Sequence, residues 1–370
     1  MRFVLSGATV LLPDGGCAKR NLLIEGRTIV KVSAEPLDGI PAHTVDLTGF
    51  FMTPGLIQTH VHLFDCFDSF SDERMKRWLD AGFTFLRDEG ILSYVTTEEA
   101  LRWRDRLRND VSRPSIAVCG HFLSTVGGYG GSEPVGLASP AEARDAVRRM
   151  ADQGVDHFKT TLDHGFDAYS QSLPLLGEEI LTALCDEAHR LGKRVSAHVN
   201  SSDKLALLVQ AGIDEAAHAC GDRIPNVLLQ AMVDQGIAMT PTLSVYGEIT
   251  NNWGAPLLAN AAENVRRFVE LGGVIGFGND FICEKPIWSP VGMPMMEIEL
   301  LRKAGLSMRT ILRSMTLGGA LVLGRDDLGR IAEGCVANLV AVRGDPTELP
   351  YLLTHMNFIM QDGIVVAQDL

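Results

Sequence analysis

The sequence predicts an α/β protein built as a (β/α)8 barrel, with a small β-domain assembled from both chain ends. The middle of the chain alternates short apolar runs with helical stretches, giving eight strand–helix units. Both ends instead carry short β-prone runs broken by Gly and Pro, and neither could bury a core alone. A length of 370 residues suits one large unit plus a smaller one.

At the N-terminal end, Phe3-Val4-Leu5, Ala8–Leu12, Asn21–Ile24 and Thr28–Val32 are the expected strands of an antiparallel sheet, with a turn at Pro13-Asp14-Gly15-Gly16. Gly329–Ile331, Ala337–Val342 and Phe358–Val366 have the same texture at the other end. The barrel strands are expected at Gly55–His62, Phe83–Arg87, Ile116–Val118, Val155–Lys159, Arg194–His198, Ile213–His218, Ile237–Thr240 and Val274–Gly278. Helices Pro140–Asp152, Glu178–Leu191 and Ala259–Leu271 fall between them. An open doubly wound sheet is the competing fold. Its phosphate loop is missing, because Gly127–Gly131 has neither a following Lys-Ser/Thr nor dinucleotide spacing.

A formal net charge of −13 leaves no basic footprint for nucleic acid and no polybasic segment for a membrane. No apolar run reaches the length of a membrane span, and Ser6-Gly7 interrupts the apolar N-terminus before a signal core can form. Seven cysteines are scattered without a C-x-x-C pair, so a reducing, cytoplasmic setting with buried thiols is expected.

His60 and His62 close the first barrel strand. Residues i and i+2 of a strand face one side, so both imidazoles can reach one ion, and zinc accepts imidazole readily. His198, His218 and Asp280 end later strands, and the C-terminal strand ends of a parallel barrel share one rim. Taken singly, each would be an ordinary polar residue at the barrel mouth. Lys159 heads for the same rim. As an ammonium it would repel a metal ion, whereas as the carbamate formed with carbon dioxide it becomes an anionic oxygen donor.

Pro54–His62, then Lys159, His198, His218 and Asp280 in that order, together with Gly329–Val340, resemble the amidohydrolase superfamily, nearest its imidazolonepropionase-like branch with the prolidase-type dipeptidases. The resemblance implies a distorted (β/α)8 TIM barrel over residues 54–320 and a discontinuous β-sandwich from 1–53 and 321–370. It also implies two divalent metal ions, with zinc expected. His60, His62 and Asp280 would hold one and His198 and His218 the other, bridged by carbamylated Lys159 and a hydroxide. Gln58, Asn279, Asn338 and Tyr129 depart from the family pattern at positions where an acid, threonine, aspartate and histidine are usual.

The expected reaction is hydrolysis of an amide in a small molecule, a dipeptide or N-acyl amino acid, with Asp280 shuttling the proton. His121 and Tyr246 are candidate carbonyl polarisers, and Tyr129 and Arg223 candidate substrate residues. The alternatives are a lactonase, esterase or phosphotriesterase on the same site, a mononuclear deaminase, and a non-catalytic scaffold. A homo-oligomer is compatible with all of them.

Overall fold

The computed structural model describes residues 1–64, 70–165, 170–253, 256–283 and 290–370, with nothing described of the side chains of residues 249–253. Parallel strands form two sheets in the middle of the chain. Leu56–Val61, Phe83–Asp88 and Ser115–Val118 make a three-stranded sheet. Val135–Leu137, Leu123–Thr125, Phe158–Thr161, Val195–His198, Glu215–Ala217 and Ala238–Thr240 make a six-stranded one, in that order.

Isolated contacts link the two sheets. Asp156 N–H donates to Val118 O at 2.8 Å on one side. On the other, Ile275 and Phe281 form single parallel bridges to Met239 and Val61. The expected strand Val274–Gly278 is therefore an irregular segment between two sheets, and the ladder does not close continuously. Gly272, Gly273, Gly276 and Gly278 give it weak strand propensity and few side chains to pack.

The three expected helices are present as Pro140–Gln153, Glu178–Arg190 and Leu257–Glu270. The first shows why its ends are sharp. Ser139 accepts from Glu142 N–H, Pro140 opens the helix, and Gly154 closes it in the left-handed region.

Both chain ends enter one eight-stranded sheet, in place of the two facing sheets expected of a sandwich. Its path runs Ile364–Gln368, Phe358–Gln361, Leu339–Arg343, Phe50–Pro54, Arg2–Leu11, Cys17–Glu25, Thr28–Ser33, with His43–Asp46 beside Arg2–Leu11. The sheet is mixed, because Arg2–Leu11 pairs parallel to both His43–Asp46 and Phe50–Pro54. Phe3–Leu5 and Ala8–Leu11 lie in one strand bent at an irregularity, and Gly329–Ile331 forms no strand.

Alternation sorts the side chains of this sheet between two cores. Phe51, Val340, Val342 and Ile359 join the barrel's core. Their neighbours Phe50, Met52, Leu339, Ala341, Phe358 and Met360 join a second core with Leu5, Val10 and Ile24. Each large apolar side chain so buried contributes about 1.5–3 kcal/mol, which fastens the sheet to the barrel without a separate interface. Among the described residues, no helix is long and apolar enough to cross a membrane.

Candidate metal centre

Alternation also builds the site. In Val195–His198, Val195 and Ala197 enter the outer core while Ser196 and His198 face the interior. In Phe158–Thr161, Phe158 packs outward and Lys159 inward. His60, His62, Lys159, His198, His218 and Asp280 all line one cavity of about 230 Å³.

Three of them converge. His60 Nε2 and His62 Nε2 each lie 3.2 Å from Asp280 Oδ1. Asp280 Oδ1 and His60 Nδ1 are nonetheless buried without a hydrogen bond of acceptable geometry. Ligand atoms packed this closely, with their bonding capacity unspent, are a donor set suited to a cation.

The other ring nitrogens are held from behind. His62 Nδ1 lies 2.8 Å from the Gly90 carbonyl oxygen. Gly90 has φ 125°, and a Cβ there would stand 2.2 Å from the Phe122 ring, so only glycine can present that carbonyl. Phe122 in turn stacks on His62. His198 Nε2 faces the His164 carbonyl at 3.0 Å, and His218 Nδ1 faces Thr242 Oγ1 at 2.6 Å. These contacts turn His198 Nδ1 and His218 Nε2 toward each other, 2.9 Å apart. Such backing bonds fix the tautomer of a ligating imidazole.

Burial depresses the pKa of His198 to about 4 and holds His218 well below its ordinary value. His60 is lowered too, by burial and the charge of Lys159. All three are thereby kept in the neutral form that metals require. Burial would raise the Asp280 carboxyl, but His60 and His62 overcome it and hold the group well below the carboxylate range. His218 and Asp280 both have positive φ, at 121° and 54°. Non-glycine residues in that region store strain, and such strain concentrates at functional sites.

A family model for the amidohydrolases matches residues 51–367. The chain belongs to the amidohydrolase family. It is thus a hydrolase acting on carbon–nitrogen bonds, with the α/β, TIM-barrel-type fold of that family. An imidazolonepropionase of Anaeromyxobacter sp. (strain K) is 26% identical, over 99% of this chain and 96% of that one. The structure of a putative prolidase from Bifidobacterium longum is 26% identical with a TM-score of 0.84, covering 99% of this chain and 94% of that one. A Xaa-Pro dipeptidase with methionine bound in its active site has a TM-score of 0.84 at 20% identity, covering 99% and 100%.

The cavity of this amidohydrolase includes Tyr129 but not the other three candidates outside the metal set. The Tyr129 ring lies 4.9 Å from that of His198. Tyr246 is buried, its hydroxyl donating to Asn200 Oδ1 at 3.3 Å. His121 is partly buried outside the cavity wall, and Arg223 is exposed and also outside it. The helix Leu243–Trp253 explains Tyr246. Val245 and Glu248, three apart, share the face that lines the cavity, and Tyr246 falls on another face.

Glu89 is the residue that sequence reasoning missed. Fully buried, it accepts from Lys159 Nζ at 2.7 Å and Ser196 Oγ at 2.6 Å, and lies 3.0 Å from His157 Nε2 and 3.1 Å from Arg87 Nε. Burial alone would raise its pKa, but Arg87 and Lys159 hold it well below the usual range. Arg87 also pairs with Glu215, which accepts from Thr240. Glu89 follows a strand of apolar and charged residues and has no motif of its own. Its one sequence signal was a carboxylate immediately beyond the end of a barrel strand.

Proposed function

We propose that this amidohydrolase cleaves the amide bond of a small molecule, a dipeptide or N-acyl amino acid, using two divalent ions, with zinc as the expected metal. The observation that supports this is the single cavity bringing together His60, His62, Lys159, His198, His218 and Asp280, with unspent donor atoms at its centre. His60, His62 and Asp280 would hold one ion, His198 and His218 the second, and Lys159 as its carbamate would join them. Ions so bound lower the pKa of water and polarise a carbonyl.

The protein's own groups do the rest. Asp280 takes the proton from the attacking water and delivers it to the leaving nitrogen, which an amide needs in order to depart. Leu92, Phe122, Val245 and Ile282 give the cavity apolar walls that exclude water around the reacting bond. Tyr129 supplies a hydroxyl for the substrate at that wall. The scaffold is read as a distorted (β/α)8 barrel over 54–320 carrying a domain of residues 1–53 and 321–370. The six cysteines among the described residues are free, which suits a cytoplasmic setting.

The test is catalytic efficiency on matched dipeptides and N-acyl amino acids against lactones, with the substrate carboxylate free or blocked. Efficient amide cleavage that falls when the carboxylate is blocked is expected. Activity confined to lactones would overturn the amidase reading, and indifference to the carboxylate would overturn the dipeptide reading.

A further inference from the structure

The helix Leu243–Trp253 begins immediately after Thr242, the residue that backs the His218 ring. A helix start leaves its first N–H groups without partners inside the helix, and a Thr in front of it ordinarily turns its hydroxyl on them. Thr242 does not. Its Oγ1 lies 2.6 Å from His218 Nδ1, so the hydroxyl is spent on the metal centre. Only its backbone serves the helix, where the Thr242 carbonyl accepts from Val245 N–H at 3.1 Å.

The remaining donors are met from elsewhere in the chain. Glu297, in the helix Met295–Lys303, accepts from Leu243 N–H at 3.0 Å and from Ser244 N–H at 2.7 Å. Its Oε2 also lies 2.6 Å from Ser244 Oγ. The side chain has no solvent exposure, and both of its oxygens are committed to the first two residues of the other helix. A carboxyl group buried so completely depends on keeping such bonds.

The backbone around His218 shows what this cap is for. Thr242 has φ 50° and His218 φ 121°, a region that non-glycine residues avoid, β-branched ones most of all. Such conformations persist only where the surroundings over-determine them. His218 N–H donates to Thr240 O at 3.0 Å, so Thr240 holds the backbone of His218 and Thr242 its ring. The Glu297 bonds pin the two residues that follow Thr242. From this relay we propose that Glu297 is a positioning residue for the metal centre. It caps the helix in place of Thr242, whose hydroxyl is thereby left to orient the His218 imidazole. The inference rests on the proposed second ion at His198 and His218, and it assigns to Glu297 an effect on that ion exerted through Thr242.

Two measurements on the full chain test it: zinc affinity by chelator competition, and nitrogen NMR of the His218 ring in the metal-free protein. Glu297→Gln keeps the size of the side chain but sets an amide NH2 against N–H donors, and Glu297→Ala removes the cap. Each should weaken one of the two ions about tenfold, the cost typical of losing a group behind a metal ligand, and spare the other. Each should also move the ring-nitrogen shifts of His218. Thr242→Val should do the same, and Thr242→Ser should stay near the parent protein. The double variant Glu297→Gln/Thr242→Val should lose no more affinity than the larger single loss, because the two residues act in series. Parental affinity and ring shifts in both Glu297 variants, or losses that add in the double variant, would overturn the inference. A parent protein holding one ion or none would instead sink the two-ion reading, and the ring shifts would still decide the role of Glu297.

Discussion

Replacing Glu89 by Gln keeps the shape of the side chain and removes its charge. Four polar partners face that carboxylate, two of them the cations Arg87 and Lys159, and the group has no solvent exposure. Arg87 keeps Glu215 as a counter-ion, but in the metal-free protein, where Lys159 is an ammonium and not the carbamate, Lys159 loses the one carboxylate that an ion-pair contact gives it among the described residues. Breaking one side of a buried pair costs about 3–5 kcal/mol, because the remaining charge stays desolvated. With an unfolding entropy of about 2.1 cal/mol/K per residue, a chain this long melts about 4–6 °C lower for that loss. Thermal melts of the metal-free protein by circular dichroism, with urea midpoints alongside, measure it. A shift under about 1 °C would show that the network does not depend on the Glu89 charge, on the same scale.

Glu297 gives a pH dependence. Burial raises its pKa to about 7, against hydrogen bonds from Ser244 and Leu243 that lower it. The folded protein therefore holds a proton that the unfolded chain releases near 4.5. This contribution is fully present below that pH and is lost as pH rises through about 7, to a total of about 3 kcal/mol. Urea melts at pH 5 and pH 8 should show the loss in the parent protein and a flatter profile in Glu297→Gln; identical profiles would contradict it. Asp280→Asn should lower turnover at least about 100-fold while circular dichroism stays native, as expected when a general acid–base group is removed; near-normal turnover would move proton transfer to another residue. Gly165→Ala would put a Cβ 2.6 Å from Tyr129 Cε2. The displaced ring should raise KM several-fold with kcat little changed; an unaltered KM would remove Tyr129 from substrate binding.

That His60, His62, Lys159, His198, His218 and Asp280 would line one cavity was legible because strand periodicity is local. His60 and His62 two apart, and His198 and His218 at the ends of apolar runs, carry their geometry in their spacing. Val155–Lys159 was legible only approximately. The strand runs Phe158–Thr161, and Lys159 faces inward because Phe158 takes the outer core. Tyr246 and His121 show the limit, since the phase of a helix or the path of a loop against a cavity is fixed by packing between distant elements. Glu89 lay further beyond reach. Its partners Lys159 and Ser196 are 70 and 107 residues away, so its role exists only once the strands are side by side. Neither does a strand-prone run foretell whether its neighbours leave room for a ladder. Val274–Gly278 reads as a strand and forms only one isolated bridge, from Ile275 to Met239.

Six residues of one cavity are proposed to hold two metal ions. Elemental analysis of purified, active protein measures this directly, beside Lys159→Ala prepared in the same way. About two divalent ions per chain are expected in the parent protein, since six ligands exceed what one tetrahedral ion needs, with a marked loss in the variant. One ion or none in fully active protein, or two ions retained in Lys159→Ala, would contradict it.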